Sequence, residues 1–164
     1  GEVMTAANAG WVNGMEPGKF EPNGTMTRAQ FATIVARILG CDTDATVESM
    51  FPDCNETDWF NAAVTFCVKR GIIAGDDKGY FNPDEPITRE QMAKILCEAA
   101  GVEQVTDPEN TYADDASIAG WAKGYVYGCQ AAGIMHGDES ANVFDAKDSA
   151  TRAEGAAVLV RAFA

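Results

Sequence analysis

Three short stretches of the chain repeat one arrangement of reactive groups: TRAQ from Thr27, TREQ from Thr88 and TRAE from Thr151. Each sets a threonine hydroxyl three positions ahead of Gln30, Gln91 or Glu154, with Arg28, Arg89 or Arg152 directly after the threonine. This is the spacing of a capping box, in which the hydroxyl accepts a first-turn N–H and the Gln or Glu side chain accepts the threonine's own N–H. Losing such a cap costs about 0.5–2 kcal/mol, so Thr27, Thr88, Thr151 and their Gln or Glu partners are read as structural caps. The arginines need a separate account. A cation in the first turn faces the positive end of the helix dipole, where an acid would stabilise instead. Two readings stay open. Each guanidinium could pair with one of the chain's 25 acids. Alternatively, guanidinium and free first-turn N–H groups together form a cradle for a carboxylate, which predicts an acidic ligand.

Other chemistry is thinly represented. The sequence has no nucleophile elbow, no HExxH pair and no phosphate-cradling glycine loop, and carboxylates for glycoside hydrolysis could be chosen only arbitrarily. Five cysteines without a CxxC, with His136 as the sole imidazole, argue against zinc. His136 takes the place of Asn13 and Ala74 at a loop position and is read as idiosyncratic. Cys67, Cys97 and Cys129 lie among apolar neighbours and suit small buried hydrophobes. Cys41 and Cys54, in a polar connector, are the pair free to bridge, a link contributing about 3 kcal/mol. The acidic GDDKGYFNPDEP puts Lys78 and Phe81 where an EF-hand needs a ligand and a glycine, so calcium is not expected. No metal and no cofactor are expected.

A formal charge of -13 argues against nucleic acid or an anionic bilayer as partner, because neutralising phosphates takes clustered cations. No uncharged apolar run approaches the roughly 18 residues of a membrane span. The opening GEVMTAANAG has no basic-then-apolar export pattern, so the signal of an exported protein is expected outside these residues. With 164 residues and 46% hydrophobic content, one compact domain is expected.

The elements that hold the three motifs repeat as well. A shift of 61 places Gly10 on Gly71, Gly14 on Gly75, Gly18 on Gly79, Phe20 on Phe81 and Arg28 on Arg89. Shifts of 62 and then 63 carry Trp59 to Trp121, Gly71 to Gly133, Phe81 to Phe144 and Arg89 to Arg152. The repeats span residues 1–40, 41–101 and 102–164, the first being partial because Gly1 matches Ala62; truncation of a longer protein is the favoured explanation. Each unit reads as helix, loop, helix. Trp59, Ala62, Ala63, Phe66 and Cys67 form one helical face, and Trp121, Tyr125 and Cys129 form its counterpart. Gly71 and Gly133 stand where a helix ends left-handed, with apolar residues following. The second helices carry apolar stripes: Phe31, Ile34, Val35 and Ile38, then Met92, Ile95, Leu96 and Ala99, then Gly155, Val158, Leu159 and Ala162. A lone hairpin cannot bury such a stripe, so the expected fold is all-α, a pseudo-threefold helical bundle of three converging repeats. The small residues of the third stripe predict a close helix approach.

The second repeat, FPDCNETDWFNAAVTFCVKRGIIAGDDKGYFNPDEPITREQMAKIL, closely resembles the S-layer homology repeat, with its F-x-D, W, G-I-I-x-G, D-G-x-F-x-P and I-T-R-A-E signatures. The third matches through Asp114, Trp121, Gly133, Gly137, Phe144 and Thr151–Arg152, and the first only in its second half. The resemblance implies a non-catalytic module that anchors a larger surface protein to the bacterial cell wall or S-layer, outside the cell. The implied ligand is an acidic, pyruvylated secondary cell-wall polysaccharide held in grooves between repeats. Arg28, Arg89 and Arg152 would then meet its carboxylate, with Trp59 and Trp121 against a sugar ring. For the tryptophans, packing in the core is an equally good reading. Asp53 and Asp114 would accept sugar hydroxyls or, in preference, brace the structure. The third repeat departs from the pattern: FDAKDSATRAE lacks the proline expected after phenylalanine, and no glycine lies between Gly137 and Phe144, so its groove is expected to be remodelled. Gln30 and Gln91 replace the usual Glu, which keeps the cap and removes a negative charge beside arginine. A protein–protein assembly module is the alternative, and a fragment of a wall-acting enzyme a distant third.

Overall fold

The computed structural model describes residues 21–164. The expectations that fall on Gly10, Gly14, Gly18, Phe20 and the EVMTAANAG segment lie outside the described residues. The described chain is all-α: α1 (Arg28–Ile38), α2 (Asn61–Lys69), α3 (Arg89–Ala100), a 3-10 turn (Asp115–Ser117), α4 (Lys123–Ala131) and α5 (Arg152–Phe163). Isolated β-bridges, but no strand, accompany them among the described residues.

Helices α1, α3 and α5 each start at a complete capping box. Gln30, Gln91 and Glu154 N–H groups donate to Thr27, Thr88 and Thr151 Oγ1 at 3.1, 3.3 and 3.2 Å, and each threonine N–H donates back to the Gln or Glu side chain. Behind the caps, the stripes are buried through their first three positions in all three helices. Gly155 lets α5 approach closely, since a Cβ there would lie 2.8 Å from Met26 Sδ. Gly71 and Gly133 have φ of 70° and 71°, and Ile72 and Ile134 N–H groups return to Cys67 and Cys129 carbonyls at 2.9 Å. That return drives Ile72, Ile73, Ile134 and Met135 into the core.

The residues just before the caps join the three helix starts. Met26 N–H donates to Ala150 O (3.0 Å), Ala150 N–H to Ile87 O (2.9 Å) and Ile87 N–H to Met26 O (2.8 Å), closing a ring among three fully buried residues. Helix packing then crosses the sequence repeats: α1 lies on α2 and α3 on α4, while α5 contacts both α1 and α3. The unit of packing is therefore not the helix–loop–helix hairpin of the sequence. The long loop between the helices of one repeat carries the second helix away, and the apolar faces of α2 and α4 are each covered by the preceding repeat's second helix.

The start of the first helix also differs from expectation. Trp59 and Trp121 do not sit on the apolar faces of α2 and α4 but in turns two residues ahead of them, 58% and 52% exposed. Phe60 and Ala122 take the buried places instead, with the Trp59 ring edge-on to Phe60 at 5.3 Å. Core packing is thereby ruled out for both indoles.

Candidate functional site

The three helix starts do not offer free N–H groups. Arg28 and Ala29 N–H donate to Glu85 and Pro83 carbonyls at 2.9 and 3.0 Å; Arg89 and Glu90 donate to Asp148 and Ala146, both at 3.0 Å; Arg152 and Ala153 donate to Gly24 and Pro22 at 2.8 and 3.1 Å. The threonine hydroxyl takes the third N–H in each case. The amide half of the expected carboxylate cradle is thus consumed by a neighbouring loop, because orphan first-turn donors buried between repeats must find acceptors.

The guanidinium groups lie over those same loops. Arg28 Nε donates to Phe81 O (2.9 Å) and one Nη to Ala74 O (2.8 Å), with the guanidinium carbon 4.9 Å from the Phe81 ring centre. Arg89 repeats this on Phe144 O (2.9 Å), His136 O (2.8 Å) and the Phe144 ring (4.8 Å). Arg152 is buried to the same extent as Arg28. Burial lowers the Arg28 pKa from its usual value, opposed by the charges of Glu85, Asp76 and Asp53. The expected internal ion pair exists for Arg89, whose other Nη donates to Glu154 Oε1 at 2.9 Å. In the matching place beside Arg28 stands neutral Gln91. Arg28 and Arg89 are therefore braces between repeats first, and any ligand meets what remains of the guanidinium edge.

Asp53 and Asp114 hold the loops on which the arginines rest. Asp53 accepts Phe81 and Asn82 N–H at 3.0 and 2.8 Å, and Asp114 accepts Phe144 and Asp145 N–H, both at 2.9 Å. Asn82 and Asp145 both have φ of 57°, a left-handed conformation costly for a non-glycine residue, and the two carboxylates pin it. Neither aspartate lines the clefts beside the arginines.

A cleft of about 440 Å³ opens beside Arg28. Its walls come from three repeats: Arg28 from the first, the Ile73–Asp76 loop with Gln91 and Lys94 from the second, and Trp121 from the third. The Asp76 carboxylate in this wall is held by Asn82 Nδ2 and by Tyr80 and Lys78 N–H groups, and its pKa falls below the usual value through those bonds. The corresponding space beside Arg89 is divided into hollows of about 380 and 170 Å³, with Arg89 and Glu154 lining both. Asp138, Asp145 and Asp148 border the larger one. Trp59 lines none of these clefts.

Lys94 escaped the sequence reading, although it lies one helical turn after Gln91 and so shares its face. Glu90 escaped it too: buried on α3, it accepts Ala119 N–H at 3.0 Å and pairs with Lys147. Alanine stands at the matching Ala29 and Ala153, so repetition gave no signal for it. The lone His136 contributes its carbonyl to Arg89. All five cysteines are free thiols, Cys41 and Cys54 included.

The S-layer homology domain profile matches residues 1–32, 51–93 and 111–156, and the chain belongs to that family. It is 39% identical over 152 residues to an amylopullulanase of Thermoanaerobacterium thermosulfurigenes, covering 90% of this chain and 8% of that protein. It is 31% identical over 167 residues to a cellulosome-anchoring protein of Acetivibrio thermocellus, covering 96% of this chain and 36% of that one. An S-layer protein of Bacillus thuringiensis subsp. finitimus shares 31% identity over 153 residues, 93% of this chain and 18% of its own length. The chain thus spans well under half of each relative. Family membership makes it a cell-surface anchoring module of the wall or S-layer. Among the described residues no helix is long and apolar enough to cross a membrane.

Proposed function

We propose that residues 1–164 form one non-catalytic module that holds a larger surface protein to the wall by binding an acidic, pyruvylated secondary cell-wall polysaccharide. The observation that carries this reading is the cleft beside Arg28, where a guanidinium edge, the Lys94 ammonium, the Gln91 amide and the exposed Trp121 indole converge. An acidic sugar would present its carboxylate to the two cations and a ring face to the indole. The closed ring through Met26, Ile87 and Ala150 supports an approximate threefold arrangement of the repeats, with one groove at each junction. Arg152 and Trp59 would serve the junction between the third and first repeats. Several weak sites on one body, or several bodies in an array, would hold tightly by raised effective concentration.

Co-sedimentation with purified wall material tests the proposal. Retention should be strong on native wall and lost after mild removal of the pyruvate ketals. Retention indifferent to that treatment would favour a protein assembly module, and released sugar would reveal an enzyme.

A further inference from the structure

The α3–α4 interface contains a pair of sulfur atoms that anchoring does not use. Cys97 Sγ and Cys129 Sγ are 3.4 Å apart, in the core, on neighbouring helices of different repeats. Each thiol points across the interface: Cys97 Sγ reaches Tyr125 O and Cys129 Sγ reaches Ala93 O, both at 3.5 Å. Those carbonyls lie one helical turn before the opposing cysteine, so the two side chains approach each other head-on. The α1–α2 interface provides an internal control. There Cys67 matches Cys129, with its Sγ 3.6 Å from Ala32 O, while the buried Ala36 stands where α3 has Cys97. A small apolar residue is enough to fill that place, so packing alone does not call for a second sulfur.

We propose that Cys97 and Cys129 are a cross-linking site, closed as a disulfide by an external disulfide oxidant after the module has left the cell. The bridge would fasten α3, which carries Gln91 and Lys94, to α4, directly behind Trp121. Either thiol can donate to the other sulfur, so whichever loses its proton first leaves a thiolate hydrogen-bonded by its neighbour. Cys97, the less buried of the two, is the first nucleophile. It attacks one sulfur of the oxidant and expels a thiolate, giving a mixed disulfide; Cys129 then loses its proton, attacks the Cys97 sulfur of that mixed disulfide and releases the second thiol. Two electrons and two protons pass from the cysteine pair to the oxidant, which becomes two thiols. Because both sulfurs are buried, exchange requires folding or local opening. The bonds given up cost little, since backbone carbonyls in a helix keep their main-chain partners.

The test refolds the full chain in a buffer of oxidised and reduced glutathione, then counts thiols in denaturant and maps the bridged peptides. Expected is a fall from five thiols to three, a bridge between Cys97 and Cys129, and a Tm higher by roughly 5–10 °C than in the reduced chain, the scale set by closing a loop of this length. Cys97→Ala, which copies the first interface, should show four thiols before and after and no Tm response to oxidant. Five thiols after redox refolding, a bridge between another pair such as Cys41 and Cys54, or a mapped bridge without a rise in Tm overturns the proposal. Mapping of the unsubstituted chain decides the matter even if the variant misfolds.

Discussion

The clefts beside Arg28 and Arg89 are built by the same rules and end with different chemistry. In both, an arginine in the first turn of a capped helix lies on an aromatic ring and donates to two loop carbonyls. At Arg28 the capping side chain opposite is Gln91, the next turn supplies Lys94, and an exposed Trp121 closes the wall. At Arg89 the capping side chain is Glu154, which ties up the guanidinium, and the next turn supplies Ala157. A capping box accepts Gln or Glu with equal geometry, so the fold tolerates this exchange while the electrostatics of the cleft do not. The scaffold and the proposed binding surface are thus specified by different atoms of one motif.

The sharpest way to break that comparison is to remove each arginine in turn. Arg28→Ala should lower stability by about 2 kcal/mol, because it strands the buried Phe81 carbonyl and removes a ring contact, and it should remove most wall retention. Arg89→Ala should lower stability by a similar amount, measured by denaturant titration, yet leave most retention at conditions where the variant stays folded. Equal loss of retention in both variants would erase the functional difference between the clefts. Substantial destabilisation by either change separates the structure from the simpler expectation that these arginines serve only a ligand.

Smaller changes probe the cleft wall without touching the brace. Trp121→Ala should weaken wall binding about 10- to 30-fold, equivalent to about 1.4–2 kcal/mol, with Tm nearly unchanged because the indole is mostly exposed. Lys94→Ala should weaken binding about fivefold by losing one charge-assisted contact, an effect that fades in high salt. A Trp121→Ala variant that unfolds early would return the indole to a packing role.

Much of the scaffold was legible in the sequence because its signals are local. The capping spacing, the left-handed glycines and the stripes at three and four residues each depend on neighbours within a turn or two, and all appear where expected. What could not be read depends on contacts between repeats. The ring through Met26, Ile87 and Ala150 uses only backbone atoms, so no side-chain pattern announces it. The consumption of the first-turn N–H groups by loop carbonyls is equally silent, and it is the reason the predicted amide cradle fails. Trp59 and Trp121 were placed on helix faces because their spacing to Ala62 and Tyr125 fits a helix; the helix begins two residues later, and the adjacent Phe60 and Ala122 take the core. The candidate cleft was legible in Arg28 and Trp121, which line it, and illegible in which arginine keeps an open cleft, since that follows from a Gln–Glu exchange acting across 65 residues of chain.

That exchange yields the finest test. Glu154→Gln keeps an acceptor for Thr151 N–H, now 2.7 Å from Glu154 Oε2, and therefore keeps the capping box. It removes the ion pair with Arg89, in which the glutamate side chain is 41% exposed, so solvent screening limits the stability loss to a few tenths of a kcal/mol. With that charge gone, the Arg89 guanidinium faces the hollow with a neutral neighbour, as Arg28 does beside Gln91. Wall retention should rise about two- to threefold, and the gain should vanish when Arg89 is also replaced. The increase stays modest because Asp145 stands where the Arg28 cleft has Asn82 and, among the described residues, no indole lines either hollow. An unchanged or lower retention would mean that the acid beside Arg89 is not what silences this cleft, and that the wall supplied by Trp121 beside Arg28 is the deciding difference.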